Sequence, residues 1–240
     1  MMTKVGILLH CRHLETIAWE DLVFGLPAED KLGDHGMLAK ILLSLSEGEE
    51  VVSILIGRGP SYRDGLDEGA YSKQYLIDHF DRLWEFPSLK PLLEKAGDAK
   101  VAALKQSIEN IVVMPEIKNT KAELEMGAKM FREQGVEKVI QLCAASHASR
   151  CIKEQAVARA NGVIGKDQLW STIASDMSYH GTKPEDVCII EPLHRRDQPM
   201  TFVRPGLSEV MIPYFFLPDE DKKAFVTLVE DFMNSKNPLS

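Results

Sequence analysis

The stretch VEKVIQLCAASHASRCIKEQAVARANGV, residues 136–163, changes character part-way along. Its first nine residues (136–144) form a short apolar run of the kind found in strands that are buried on both faces of a sheet. Helical periodicity follows, and a serine, a histidine and an arginine lie at the junction: Ser146, His147 and Arg150. Open α/β sheets bind their ligands at the carboxyl ends of strands. The stretch therefore predicts a strand, a helix and a candidate site between them.

Four further apolar runs have strand length: VGILLH (5–10), VVSILIG (51–57), NIVVMP (110–115) and DVCIIEP (186–192). Helical periodicity is predicted at about 36–47, 67–83, 88–109, 120–134 and 147–161. Alternation of strands and helices is typical of an α/β fold with a mostly parallel sheet and helices on both faces.

The chain has 240 residues, of which 45% are hydrophobic, enough for one sizeable core. Residues 61–109 contain more helix than one crossover requires, which predicts an inserted helical cap. Residues 193–240 are rich in prolines and β-formers and end in an amphipathic helix, which predicts a C-terminal elaboration. We expect a single α/β domain over 1–240.

The net charge is −8, with 36 acidic residues against 28 basic ones, and no basic block indicates a nucleic-acid groove. The apolar stretch Val5 to Leu9 is too short to span a membrane, and the features of a signal peptide are missing. We therefore expect a cytoplasmic protein without nucleic-acid or membrane partners. The four scattered cysteines indicate free thiols in a reducing compartment.

Three residues at the opening junction suit the binding of an anion. His147 can exchange a proton as a general acid or base, or donate a hydrogen bond. Arg150 can place its guanidinium on a carboxylate or phosphate, and Ser146 can cap the helix. The alternative interpretation gives Ser146 only the cap and leaves Arg150 as a surface charge.

Polar residues lie at two more strand ends. In PEIKNTKAE (115–123), Thr120 and Glu123 have the spacing of a capping box, which leaves Asn119 freer to contact a ligand. In IGRGPSYRDGLDEGAYS (56–72), Gly57 and Gly59 let a backbone approach closely, and Arg63 and Glu68 follow. The glycine spacing matches neither a Walker loop nor a full dinucleotide fingerprint. An ordinary loop that contains two glycines is therefore an equally good interpretation.

Histidines in the first loop raise the alternative of a metal site. His10, His13 and His35, with Glu15 and Asp34, are possible ligands, but their spacing resembles no known zinc pattern. We expect no metal, and we keep a metal-dependent hydrolase using the three histidines as an alternative function.

These motifs occur in the same order in a known family. Over about residues 4–165 the chain resembles the bacterial domain-of-unknown-function family typified by YdcF, SanA and ElyC (YdcF-like). The matching residues are Gly57, Gly59 and Glu68 in the glycine turn and its helix, Asn119, Thr120 and Glu123 in the Asn-Thr motif, and His147 and Arg150 in the S-x-x-H-x-x-R motif. Two family serines fall on Ile117 and Ala144 here.

The resemblance implies a Rossmann-like three-layer sandwich with polar residues above the strand ends. Some members are linked to S-adenosylmethionine and others to envelope metabolism through a membrane anchor, and the family carries no single established reaction. We expect a binding protein or enzyme for a small anionic or nucleotide-like ligand, with S-adenosylmethionine as a candidate cofactor and His147 as the catalytic residue. The expected ligand contacts are His10, Gly57, Gly59, Glu68, Asn119, Thr120, Glu123, Ser146 and Arg150. A regulatory or interaction protein without catalysis is the alternative that Ile117 and Ala144 favour.

Overall fold

The computed structural model describes residues 2–16, 18–115, 117, 119–178, 190–191, 201–202, 220–221, 224 and 227. The chain divides into two compact units, Met1–Asp186 and Val187–Ser240. The predicted C-terminal elaboration over 193–240 lies almost entirely outside the described residues. In the second unit, Ile190–Glu191 pairs antiparallel with Thr201–Phe202.

The first unit is built on a five-stranded parallel sheet. Its strands are β1 (Thr3–Leu9), β2 (Glu49–Gly57), β3 (Val112–Met114), β4 (Lys138–Cys143) and β5 (Leu169–Ala174). They lie in the order β3-β2-β1-β4-β5. This is the order of a Rossmann-like sheet, in which the direction of strand addition reverses between β1 and β4. The predicted α/β class and parallel sheet are confirmed.

Six helices connect and cover the strands of this unit in its described residues. They are α1 (Trp19–Val23), α2 (Asp34–Ser44), α3 (Glu68–Asp78), α4 (Lys90–Glu109), α5 (Thr120–Glu133) and α6 (Ala148–Ala160). Shorter elements are the 3-10 turns Pro27–Glu29, Phe80–Glu85 and Ala145–His147, and the pairs Gly25–Leu26 with Lys31–Leu32 and Tyr62–Arg63 with Leu66–Asp67. Every described helix is too short or too polar to cross a bilayer.

The alternating side chains of β1 separate two cores, one on each face of the sheet. Ile7 packs in the core that α2, α3 and α4 cover, whereas Leu8 packs in the core under α5 and α6. The ring of Phe131 on α5 packs closely against Gly6, where a β-carbon would overlap the ring. Each fully buried side chain of this size stabilises the fold by about 1.5–3 kcal/mol. The helices of the expected cap, 61–109, contribute to the same core as Ile7.

The fifth strand of the sheet differs from the prediction. It is LWSTIA (169–174), and not the apolar run at 186–192, which lies mostly outside the described residues. β5 pairs only with β4 in the described sheet, and its first residue, Leu169, is 65% exposed. An edge strand needs no continuous apolar run, because part of its surface faces water, and the polar Ser171 and Thr172 interrupt the pattern that signals a central strand.

Candidate functional site

Buried polar side chains gather at the carboxyl edge of the sheet, around the point where strand addition reverses. They come from the loop after β1, from the starts of α2, α3 and α5, and from β4 and the loop after β5: His10, Arg12, Asp34, Glu68, Thr120, Glu123, Gln141 and Ser175. Burial of a polar or charged group is unfavourable unless it finds partners. Their hydrogen bonds therefore determine what this edge can do.

The glycine turn after β2 makes room for two carboxylates. A β-carbon at Gly57 would collide with Glu123 Oε1, and one at Gly59 would collide with Glu68 Oε2. Gly59 also has a positive φ of 70°, a conformation that favours glycine. The sequence predicts that a ligand approaches the backbone at this turn. In the structure Glu68 and Glu123 occupy the space beside both glycines, and the approach of a ligand to this turn stays a prediction.

Cys11 lies between these two carboxylates. Its Sγ is 3.2 Å from Glu68 Oε2 and 3.2 Å from Glu123 Oε1. The other oxygen of Glu68 accepts hydrogen bonds from the backbone and hydroxyl of Ser61, at 2.9 and 2.6 Å. Burial and the two negative charges raise the pKa of Cys11 well above its ordinary value. The residue is therefore a thiol at neutral pH and not a thiolate nucleophile.

His10 connects Glu123 to the sheet. Its Nδ1 pairs with Glu123 Oε2, and its Nε2 lies 2.7 Å from Nε2 of Gln141 on β4. Burial alone would raise the pKa of Glu123, but the charge and hydrogen bond of His10 hold it below its ordinary value. Both nitrogens of His10 thus have protein partners and the side chain is buried, so His10 is placed to hold Glu123 in position.

Arg12 is buried at the centre of the edge with only part of its hydrogen-bonding capacity used. Its Nη1 donates to the carbonyl oxygen of Cys11 at 3.0 Å, and its Nε lies 3.1 Å from Asp34 Oδ2. Asp34 is held in turn by the hydroxyl of Ser175, which donates to Oδ1 at 2.9 Å. Arg12 Nη2 has no hydrogen-bond partner among the described residues. Sequence reasoning missed Arg12, although a buried strand followed by HCRH is a recognisable signal for this edge.

His147 lies between Arg12 and Thr120. Its Nδ1 is 3.2 Å from Arg12 Nη1, and its Nε2 is 3.0 Å from Thr120 Oγ1. Burial, and then the charges of Arg12, His10 and Arg150, lower the pKa of His147 to about 2. The imidazole is therefore neutral at pH 7. Because arginine only donates, Nδ1 accepts and Nε2 carries the proton, so His147 cannot take a proton from Thr120 as the base of a nucleophilic dyad.

The start of α5 differs from the predicted capping box. Asn119 is the N-cap, and its Oδ1 accepts a hydrogen bond from the backbone of Ala122 at 3.0 Å. Thr120 and Glu123 do not cap the helix. Both side chains are buried, and they contact His147 and His10 at the carboxyl edge. The capping-box prediction is wrong, and the physical reason is that Asn119 already satisfies the backbone donor.

The predicted junction residues lie close to Arg12 in different ways. Ser146 is in the 3-10 turn Ala145–His147, and α6 begins after His147 without a side-chain cap in the described structure. Arg150, in the first turn of α6, is exposed, and its charge reaches His147. Their roles in ligand binding remain predictions. The positions of the two family serines, Ile117 and Ala144, are buried and apolar.

The histidines of the proposed metal site have separate partners. His10 pairs with Glu123, His35 Nε2 lies 2.8 Å from Ser72 Oγ, and His13 Nδ1 accepts from a backbone N–H in its own loop. Among the residues that the structure describes, no group of three histidine, cysteine, aspartate or glutamate side chains is arranged to hold a metal ion.

The fold and this edge define a Rossmann-like α/β protein with a buried polar cluster at the reversal of strand order. Comparison of the chain with family models, with curated proteins and with solved structures finds no match.

Proposed function

We propose that the carboxyl edge binds a small molecule through an acidic group, a carboxylate or a phosphate, and that Arg12 is the anchor. The observation that carries this proposal is the Nη2 atom of Arg12, which is buried without a partner in the described structure. A buried donor left unpaired is costly, and an anion that accepts from it recovers that free energy. A ligand at this edge also agrees with the binding position of open α/β sheets.

Thr120 and Arg150 support the same proposal. Because Nε2 of His147 donates to Thr120 Oγ1, the hydroxyl proton of Thr120 is available to an acceptor on the ligand. Arg150 adds an exposed positive charge in the first turn of α6, where the helix dipole also favours an anion. A nucleotide-like ligand such as S-adenosylmethionine, the candidate from the YdcF-like resemblance, carries a suitable carboxylate.

His147 acquires a role in proton transfer only with a ligand bound. Burial, and then the positive charge of Arg12, lower its pKa to about 2. An anion seated on Arg12 offsets that charge and raises the pKa of His147, while burial still lowers it. In the free protein His147 is therefore a neutral hydrogen-bonding group, and its action as a general acid or base belongs to the bound state.

A ligand screen with matched variants tests the proposal. We expect phosphate, small carboxylates, nucleotides or S-adenosylmethionine to stabilise the protein, by about 2.7 kcal/mol for a ligand at 100 times its Kd. Arg12→Lys keeps the positive charge but loses the paired N–H donors of the guanidinium, so the Kd of the anion that binds should rise at least tenfold. Lys153→Gln, which removes an exposed cation from α6, should leave Kd unchanged. Failure of every anion to bind, or unchanged binding by Arg12→Lys, would overturn the proposal.

A further inference from the structure

Among the described residues, the hydrogen bonds around Cys11 leave one carboxylate oxygen without a donor. Glu68 Oε2 and Glu123 Oε1 each lie 3.2 Å from the sulfur, but a thiol has only one proton to give. The second oxygen of each carboxylate is already used, by Ser61 on Glu68 and by His10 on Glu123. One of the two oxygens that face Cys11 therefore meets a sulfur lone pair instead of a hydrogen.

The unpaired donor of Arg12 belongs to a guanidinium whose charge acts on Glu123, one of these two carboxylates. Arg12 Nη1 donates to the carbonyl oxygen of Cys11, so the guanidinium turns back toward the residue whose thiol separates the carboxylates. Arg12 is 3% exposed, and its Nη2 lacks a partner among the described residues. Cys11 itself is partly exposed. Cys11 thus contacts the guanidinium of Arg12 through its carbonyl oxygen and the two carboxylates through its sulfur.

We infer that the ligand of this site is a zwitterion, in which an ammonium group beside the acidic group binds to Glu68 and Glu123. The inference rests on the proposed function, since it takes Arg12 as the anchor of the acidic group. An ammonium has three donors and a positive charge, so it can satisfy both carboxylate oxygens at once, which the single thiol proton cannot. An α-amino acid group, free or attached to a larger molecule, has this chemistry.

The charge of the cluster favours the ammonium over a neutral hydroxyl. Two carboxylates face Cys11, and in the described part of the chain the histidine in contact with them, His10, pairs with Glu123 alone. The guanidinium of Arg12 is shared with Asp34. Negative charge is therefore in excess on the Glu68 side of the edge, and a cationic group gains more there than a hydroxyl does.

Four related probes test the inference: methionine, 4-(methylthio)butanoate without the ammonium, 3-(methylthio)propylamine without the carboxylate, and 2-hydroxy-4-(methylthio)butanoate with a hydroxyl in place of the ammonium. We expect calorimetry to show methionine binding at least tenfold more tightly than each of the others. Equal binding of the hydroxy acid, or of 4-(methylthio)butanoate, would overturn the zwitterion while leaving the anion site of Arg12 intact. Failure of all four, with no anion binding in the wider screen, would instead remove the proposed function.

Two variants assign the ammonium to the carboxylates. Glu68→Gln keeps an acceptor for Ser61 but removes the charge, so methionine should lose at least tenfold in affinity while 4-(methylthio)butanoate binds as before. Glu125→Gln, an exposed carboxylate on α5, is the control and should change neither. Cys11→Ala removes the competing thiol proton and should increase the preference for methionine over 4-(methylthio)butanoate. An unchanged preference in both Glu68→Gln and Cys11→Ala would overturn the assignment.

Discussion

Arg12 and His147 meet at 3.2 Å, with the guanidinium Nη1 facing the imidazole Nδ1. A permanent donor at this nitrogen fixes the tautomer of a neutral histidine, because only the nitrogen without a proton can accept. The pair also explains why a histidine at the carboxyl edge is not charged at neutral pH, since burial and the adjacent cation both disfavour the imidazolium. Arg12 thus controls both the charge and the hydrogen-bonding direction of His147.

This pair predicts how His147 appears by nuclear magnetic resonance. The nitrogen-15 shifts should identify the neutral form with the proton on Nε2, and the signal should not titrate between pH 8 and pH 4, because its pKa is lowered to about 2. His147→Gln assigns the signal by its disappearance. A titration midpoint between pH 6 and 7 in the ligand-free protein, or a proton on Nδ1, would contradict the assigned contact.

A second prediction concerns the cost of breaking the buried ion pair. Arg12→Met leaves Asp34 buried without its cation, and we expect the free energy of unfolding to fall by about 3–5 kcal/mol. Adding Asp34→Asn keeps an acceptor for Ser175 and removes the unpaired charge, so the double variant should recover part of that loss. Urea denaturation measures all three proteins.

The control is an exposed pair of similar type. Lys31 and Glu29 lie 2.6 Å apart with about half of each side chain exposed, so Lys31→Met should cost less than about 1 kcal/mol. A comparable loss for Arg12→Met and Lys31→Met would show that the pair of Arg12 and Asp34 is not buried as described.

Most of the fold could be predicted because the central strands are buried on both faces. The runs at 5–10, 51–57 and 136–144 coincide with the three central strands, since burial on both faces demands continuous apolar sequence. The run at 110–115 coincides with β3, an edge strand whose Val112 is 41% exposed. The edge strand 169–174 has no continuous apolar run, and it was therefore not predicted. The short helix Trp19–Val23 was also missed, because five residues are too few to establish a helical period.

The position of the candidate site could be predicted from the sequence, but its side-chain contacts could not. Parallel strands bring their carboxyl ends together, so topology alone predicts that the loops after β1, β2, β3 and β4 converge. Which side chains turn inward depends on tertiary contacts. Thr120 and Asn119 are adjacent in sequence, yet Asn119 caps the helix and Thr120 faces His147. Arg12 was missed because the neighbouring histidines, His10 and His13, indicated a metal site instead.

A third prediction separates backbone strain from collision in the glycine turn. Gly59 and Gly65 both have positive φ, at 70° and 80°, but a β-carbon meets Glu68 at Gly59 and open space at Gly65. Gly65→Ala should therefore show only the conformational cost, about 1–2 kcal/mol. Gly59→Ala should lose about 1–3 kcal/mol more, from overpacking.

A double-mutant cycle checks the cause of that difference. In a Glu68→Gly background the whole side chain is gone, including the Glu68 β-carbon that would lie 2.7 Å from the added one, and Gly59→Ala should cost no more than Gly65→Ala does. Chemical denaturation provides the free energies of unfolding. If Gly59→Ala is equally costly with and without the Glu68 side chain, the collision with Glu68 is not the reason for the glycine.

The last prediction concerns the pH dependence of stability. His35 is 1% exposed, its Nε2 faces Ser72 Oγ, and its Nδ1 has no partner in the described part of the chain. Burial, and then the charge of His79, lower the pKa of His35 to about 3. As the pH falls below about 6.5, His35 binds a proton in the unfolded chain but stays neutral in the folded protein. The free energy of unfolding therefore decreases from there toward pH 3.

His35→Gln should remove this contribution, because an amide can bond to Ser72 and does not titrate. For one proton, the free energy of unfolding changes by at most about 1.4 kcal/mol per pH unit. Between pH 7.5 and pH 5 the unmodified protein should therefore lose about 2 kcal/mol more of that free energy than the variant does. Urea denaturation at the two pH values measures the difference, and His35→Asn repeats the test with a shorter amide. Parallel losses in the unmodified protein and in both variants would contradict a buried, neutral His35.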